Sequence, residues 1–425
     1  VVLFEKRSLG GGCLNEGGIP TKTLLYSAKT YDSARHASKY AVNVSEVSFD
    51  LPKTIARKQK VVRKLVLGVK GKLTANNVTI VNGEASIVDK NHVLCGDETY
   101  ECDNLLLCTG SETFIPPIPG IDTVPYWTHR DALDNKELPK SLVVIGGGVI
   151  GMEFASFFNS LGVEVTVIEM LDEILGGMDK ELSAMLRAEY AKRGIKFMLN
   201  TKVVSLDGST GENGETQVRV NYENAEGTGF SIAEKLLMSV GRRPVTKGFG
   251  LENLNPEKTE RGNIRVDGQM RTSVTGVYAC GDLTGFSLLA HTAVREAEVA
   301  VHAVLGKKDC MSYRAIPGVV YTNPEIAGVG ETEESASAKG ITYKVVKLPM
   351  AYSGRFVAEN EGVNGVCKVL LDEQERIIGA HVLGNPASEI ITLAGTAIEL
   401  GLTAAAWKKI VFPHPTVGEI FREAL

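Results

Sequence analysis

The segment from Ser141 to Glu169 constrains the fold more than any other part of the chain. Leu142-Val143-Val144-Ile145 is a short, continuously apolar run of the kind buried in parallel sheets. Gly146-Gly147-Gly148-Val149-Ile150-Gly151 follows directly, with G-x-G-x-x-G spacing. Met152 to Leu161 then has helical periodicity and stops at Gly162. A second apolar strand, Glu164 to Ile168, ends at Glu169, 18 residues beyond Gly151. Strand, glycine turn, helix, strand and acid in this order predict a Rossmann-like βαβ unit that binds a dinucleotide. Gly146 permits the tight turn, Gly148 lets the backbone approach a pyrophosphate, and Gly151 lets the helix pack on the sheet. The helix amino terminus offers N–H groups and a positive dipole to the phosphates. Glu169 is placed to accept from ribose hydroxyls. No Arg follows in Met170-Leu171-Asp172 to receive a 2′-phosphate, which favours NAD(H) over NADP(H).

Part of this unit recurs at the amino terminus. Val1-Val2-Leu3-Phe4-Glu5 matches Val165-Thr166-Val167-Ile168-Glu169, an apolar run ending in Glu. By that template Glu5 serves the ribose of a second dinucleotide. The chain then begins inside a strand, and roughly 24 residues carrying the other glycine turn are expected to precede Val1. With 425 residues there is room for two to four domains. A net charge of −5 argues against a general nucleic-acid or membrane-surface role. The most apolar stretch, Ser141 to Phe158, is interrupted by glycines and Glu153 and does not read as a membrane span. Seven cysteines (13, 95, 102, 108, 280, 310, 367) are scattered, with no secreted disulfide framework and no C-x2-C zinc pattern, so a reducing, cytoplasmic setting is expected.

Two further constellations carry chemistry. Near the start stands Gly10-Gly11-Gly12-Cys13-Leu14-Asn15-Glu16-Gly17-Gly18-Ile19-Pro20-Thr21-Lys22, and near the end Phe412-Pro413-His414-Pro415-Thr416-Val417-Gly418-Glu419. The two prolines restrict the backbone of His414. Pro415 suits the first position of a helix running through Leu425. Glu419 can reach back to one imidazole nitrogen, fixing the tautomer and leaving the other nitrogen as base. Five other histidines (36, 92, 129, 302, 381) read as surface or packing residues. Glu257-Lys258-Thr259-Glu260-Arg261 reads as a solvated face, and Ser209 to Gly214 as a hairpin tip.

These segments resemble the flavin disulfide reductases, the pyridine nucleotide-disulfide oxidoreductases of class I. The family's active-site helix reads G-G-T-C-L-N-x-G-C-I-P-S/T-K, and its base motif H-P-T-x-x-E. The resemblance extends through Leu105-Leu106-Leu107-Cys108-Thr109-Gly110-Ser111, similar to a strand ending in A-T-G-S with Cys108 in place of Ala, and Ser239-Val240-Gly241-Arg242-Arg243-Pro244. It continues in Gly276-Val277-Tyr278-Ala279-Cys280-Gly281-Asp282, Leu288-Leu289-Ala290-His291 and Tyr321-Thr322-Asn323-Pro324-Glu325. The Leu14-Asn15, Ile19-Pro20-Thr21-Lys22 and Ala387-Ser388-Glu389-Ile390-Ile391 details are most similar to the dihydrolipoamide dehydrogenase branch.

The resemblance implies an α/β fold with two Rossmann-like domains, one for FAD and one for NAD, and a carboxy-terminal α/β dimerisation domain. Its divisions fall at 1–116 (FAD, its first βα unit missing), 117–244 (NAD), 245–311 (FAD, continued) and 312–425 (dimer interface). It implies Cys13 as the thiol that exchanges with substrate, His414 and Glu419 as base and orienting acid, and Lys22 with Glu153 as an ion pair near the flavin. For FAD it implies Glu5, Lys22, Ala85, Thr109, Gly110, Ser111, Asp282, Leu288, Leu289, Ala290 and His291. For NAD it implies Gly146, Gly148, Gly151, Glu169, Val203 and Gly241. No metal is implied. The partners implied are a second copy of the chain and the lipoyl carrier domain of a 2-oxo acid dehydrogenase or glycine cleavage system.

One departure stands out. The family's two redox cysteines are spaced C-x4-C, and here Gly18 holds the second place. Five residues of regular helix rise about 7.5 Å, beyond the disulfide Cα limit of roughly 7 Å, so the motif requires an irregular first turn. Gly18 leaves three readings open: a dihydrolipoamide dehydrogenase altered at one codon, an NADH:acceptor flavin oxidoreductase that needs no cysteine, or an inactive homologue.

Overall fold

A computed structural model describes residues 1–211 and 214–425. The chain divides into two compact units. One comprises Val1–Pro20, Arg57–Phe114 and Gly241–Tyr313; the other comprises Thr21–Ala56, Ile115–Val240 and Arg314–Leu425.

The second unit holds the βαβ element. Its parallel strands pair in the order Lys196–Met198, Glu164–Ile168, Ser141–Ile145, Lys235–Met238. The inner strands are apolar along their length because both faces are covered: Leu142, Val143 and Val144 are all buried. The crossover helix is Val149–Ser160, starting three residues earlier than its periodicity suggested, and Gly151 to Phe158 is buried without a break. A helix that is apolar all round belongs in an interior, and Phe154, Phe157 and Phe158 supply its bulk. Gly151 is the close-approach position. A Cβ there would lie 2.1 Å from the Gly146 carbonyl oxygen and 2.7 Å from Ser239 Oγ. Gly151→Ala is therefore expected to cost about 1–3 kcal/mol of stability by overpacking against backbone, read as a lower urea midpoint at unchanged slope.

Three antiparallel strands, Lys202–Thr210, Thr216–Asn224 and Gly227–Ala233, lay Leu206, Val218 and Val220 against the inner face of this sheet. The Ser209–Gly214 hairpin forms, with Thr210 opposite Thr216; its tip residues Glu212 and Asn213 lie outside the described residues. The same unit carries a five-stranded antiparallel sheet in the order Gly318–Val320, Ile326–Gly330, Ile377–Leu383, Val366–Asp372, Tyr343–Pro349. Helix Ala387–Glu399 covers it with Ala387, Ile390, Ile391, Ala394 and Ile398, the 3–4 spacing of one helical face. The carboxy terminus departs from expectation. No helix starts at Pro415; a 3-10 turn spans Val417–Glu419 and a short α-helix spans Ile420–Glu423. The reason is a capping box at Thr416, whose N–H is held by Glu419, so the helical turns begin only after it.

In the first unit, Val2–Glu5 pairs in parallel with Thr79–Asn82, and Leu105–Leu107 with Val277–Ala279. Ala85–Asp89, His92–Cys95 and Glu98–Glu101 form an antiparallel meander. Ser111–Thr113 pairs antiparallel with Arg242–Pro244. Ile87, Leu107, Leu251, Ile264, Val277 and Leu283 make its core. Both members of the sequence repeat are thus parallel strands, with Glu5 at the end of one and Glu169 directly after the other.

Candidate active site

The glycine turn of the second unit is shaped as the spacing predicted. Gly146 has φ of 101°, and Gly148 caps helix Val149–Ser160 with no side chain bonded to the first-turn N–H groups. The Glu169 carboxylate is fixed beside that turn. One oxygen accepts from the Gly147 N–H at 2.7 Å and the other from the Leu171 N–H at 2.8 Å. Open N–H groups, a glycine without Cβ at the approach and an oriented carboxylate at the next strand end fit a dinucleotide. Val203 is half-buried in the antiparallel sheet, packed toward the core.

In the first unit, helix Gly11–Glu16 carries Cys13 and stops at Gly17, where φ is −132° and ψ −111°. A new helix, Gly18–Arg35, starts at once. Gly17 allows the break: a Cβ there would lie 3.1 Å from the Gly12 oxygen and 3.2 Å from Cys13 Cα. The break turns position 18 toward Cys13. A Cβ built at Gly18 lies 2.8 Å from Cys13 Sγ, and its next neighbour is the Cys13 oxygen at 3.9 Å. The first distance is close to the ~3 Å separating a Cβ from its partner's sulfur across a disulfide. The backbone is set for a bond of which one sulfur is present. Cys13 is exposed and unbonded. Gly12, Thr in the family motif, faces open space, so its glycine leaves this geometry untouched.

The first unit also holds the residues expected at FAD, apart from Lys22. Ser111 Oγ donates to Asp282 Oδ2 at 2.5 Å, and Arg242 Nε donates to Ser111 Oγ at 2.7 Å. The Asp282 side chain is 24% exposed, so its carboxylate keeps an accessible face that fits a polyol hydroxyl. Glu5 accepts from the Arg7 N–H at the end of its strand. Thr109 Oγ donates to the Val245 oxygen, and Gly110 and Gly241 have φ of 69° and 118°. Ala85 opens the meander. Leu288 is exposed, Leu289 caps helix Ala290–Val304, and Ala290 and His291 occupy its exposed first turn. Sequence reasoning did not single out Arg242; its place directly after Gly241 was the available signal.

In the second unit, Lys22 Nζ donates to both oxygens of Glu153 at 2.9 Å. Glu153 is buried within the apolar helix and also accepts from the Tyr321 N–H at 3.0 Å. A carboxylate placed there without a cation would be costly. Lys22 Nζ also lies 4.6 Å from the Tyr321 ring centroid.

His414 is exposed, and its Nδ1 lies 2.8 Å from Glu419 Oε1, while the Thr416 N–H donates to Glu419 Oε2 at 2.7 Å. The Thr416 N–H, and then His414, hold the Glu419 carboxyl below the usual carboxylate range. Its contribution is therefore complete above the ordinary carboxylate pKa and is lost only as pH falls through the depressed value. With Nδ1–H donating to this carboxylate, Nε2 is the free acceptor. Of the other histidines, His302 meets Asp309 at 2.7 Å and His92 meets Asp89 at 2.9 Å, while His129 and His381 are buried.

Two βαβ-type nucleotide elements and a half-assembled dithiol define a flavin- and nicotinamide-linked disulfide oxidoreductase. Residues 1–297 match the pyridine nucleotide-disulphide oxidoreductase family and residues 316–425 its dimerisation domain; the chain belongs to this family. FAD and NAD are its cofactors. Among relatives, the dihydrolipoyl dehydrogenase of Geobacillus stearothermophilus is 39% identical, covering 100% of this chain and 90% of the relative. The human mitochondrial dihydrolipoyl dehydrogenase is 37% identical, covering 100% of this chain and 84% of the relative. Among solved structures, LpdA of Mycobacterium tuberculosis superposes with a TM-score of 0.89 at 26% identity, covering 100% of this chain and 92% of that one. The HOCl-induced flavoprotein disulfide reductase RclA of Escherichia coli gives 0.86 at 29%, covering 100% and 93%.

Proposed function

We propose that this chain is laid out as a homodimeric dihydrolipoyl dehydrogenase, whose machinery serves to reoxidise dihydrolipoamide on a lipoyl carrier domain of a 2-oxo acid dehydrogenase or glycine cleavage system, with Gly18 interrupting its thiol relay. The observation that carries this reading is the helix break that sets position 18 at disulfide distance from Cys13, in a chain of full-length likeness to dihydrolipoyl dehydrogenases. FAD, when bound, supplies the two-electron carrier between substrate thiols and NAD+. The residues of the chain do the rest. His414 Nε2 takes the proton of a substrate thiol, and Glu419 keeps the ring in the tautomer that can accept it. Cys13 is the thiol that exchanges with substrate sulfur. Lys22, held by Glu153, presents a cation where negative charge grows on reduction. Glu5 and Asp282, with the Thr109–Ser111 turn, hold FAD; Glu169 and the Gly146–Gly151 turn hold NAD.

The four divisions at 1–116, 117–244, 245–311 and 312–425 describe this assignment, and its setting is cytoplasmic. With glycine at position 18, thiol exchange has no resolving sulfur, and the hydride half of the reaction is what the chain retains. In an anaerobic titration of the FAD-loaded protein, NADH is expected to bleach the flavin, and NADPH to be at least about tenfold less effective. Absence of bleaching by NADH, or equal bleaching by NADPH, would overturn the nucleotide assignment.

A further inference from the structure

Two cysteines that the active-site chemistry does not use stand together in the first unit. Cys108 and Cys280 have their sulfurs 3.4 Å apart although 172 residues separate them in sequence. The contact follows from the sheet. Leu105–Leu107 and Val277–Ala279 pair in parallel register, with Leu107 opposite Ala279, and the Cys280 N–H continues the ladder to the Leu107 oxygen at 3.1 Å. The next residue on each strand is a cysteine, so both side chains leave the paired strands in the same direction. Paired strands lie about 4.8 Å apart, inside the ~4.4–6.8 Å Cα window of a disulfide. At 3.4 Å the sulfurs stand ~1.4 Å beyond the length of a disulfide bond.

The two thiols are not equivalent. Cys280 is buried, and the next peptide is anchored because the Gly281 N–H donates to Glu296, which also accepts from the Tyr313 hydroxyl. Cys108 is exposed. In their 3.4 Å contact either sulfur can be the donor, and that contact followed by burial pushes the Cys280 pKa up. The exposed sulfur is therefore the better nucleophile and the buried one its resolving partner.

We propose that Cys108 and Cys280 form a second redox site, a dithiol that small-molecule disulfides close to an intramolecular disulfide. The Cys108 thiolate, its proton released to solvent, attacks one sulfur of the small disulfide; that S–S bond breaks and one thiolate leaves, taking up a proton. The Cys280 sulfur then attacks Cys108 Sγ. The mixed disulfide breaks, and the second small thiol leaves with the Cys280 proton. Two protein thiols lose two electrons, and one small disulfide becomes two thiols. The new bond joins the strand ends that lead into Ser111 and Asp282, the pair already linked by a hydrogen bond.

The test is oxidation of the FAD-loaded protein with oxidised glutathione, followed by denaturing alkylation and peptide mapping. The expected product is a linked pair of peptides containing Cys108 and Cys280, two hydrogens lighter than their sum and reversed by dithiothreitol. Cys13, which has no resolving sulfur, should carry a glutathione adduct in the same sample. Cys108→Ala and Cys280→Ala should each abolish the link, and Cys13→Ala should leave it intact. If Cys13 is glutathionylated while Cys108 and Cys280 both remain alkylated, or if either pairs with a different cysteine, the proposal fails. The peptide map of the unsubstituted protein is decisive, whatever the stability of the variants.

Discussion

Gly18→Cys is expected to raise lipoamide turnover by on the order of a thousandfold or more, since groups that act as a unit lose nearly all their effect when one is absent. The expectation rests on geometry already in place. Position 18 opens its helix directly opposite Cys13, and among the described residues the side chain within 4 Å of its Cβ is the one it would bond. A cysteine there needs no rearrangement of the backbone to close a disulfide with Cys13, and on reduction it restores the second thiol. Thiol titration should show two fewer free thiols in the oxidised Gly18→Cys protein than after reduction, and partial reduction should give a long-wavelength thiolate–flavin absorbance. Gly18→Ala is the control. It places a methyl carbon at 2.8 Å from Cys13 Sγ, pushing that side chain aside, and restores nothing. Lipoamide turnover by the Gly18 protein comparable to that of Gly18→Cys would show that the chain does not need this dithiol. Failure of Gly18→Cys to form the disulfide would show that the break at Gly17 does not give disulfide geometry.

The second large effect is expected at the far end of the chain. In the Gly18→Cys background, His414→Ala should lower lipoamide turnover by about 10²–10⁴-fold, the range of a positioned general base. NADH-driven dye reduction should be unchanged, because that half-reaction needs no thiol proton to move. Glu419→Gln should act more mildly on rate and alter the pH profile. The glutamine loses the carboxylate that the Thr416 N–H and His414 keep ionised below the usual range. Equal loss of dye reduction and lipoamide turnover in His414→Ala would indicate damage to the fold or dimer rather than removal of a base.

Some of this chain is legible from local sequence because its physics is local. Continuous apolar runs between glycine turns mark buried parallel strands, and the structure places Ser141–Ile145 and Glu164–Ile168 in one sheet. The Pro-His-Pro segment with a carboxylate five residues on gives the His414–Glu419 pair, because a single turn brings them together. The same reasoning failed at Pro415. Proline suits the start of a helix, but Thr416 and Glu419 cap each other and delay it.

Contacts across long separations were not legible. Arg242 reaches Ser111 and Asp282 only because two distant strands pair. Cys108 and Cys280 looked like scattered thiols until the register of two parallel strands set their sulfurs side by side.

By itself, the sequence displayed the two nucleotide elements and the His414–Glu419 spacing, through residue types at fixed short separations where backbone geometry leaves few choices. Resemblance to the family, rather than spacing, marked Cys13 as the expected exchange thiol and Gly18 as the interruption of its motif. Tertiary structure alone decided that position 18 still faces Cys13, and that a second dithiol exists elsewhere. Both depend on where backbones lie in space, and one-dimensional periodicity carries no record of that.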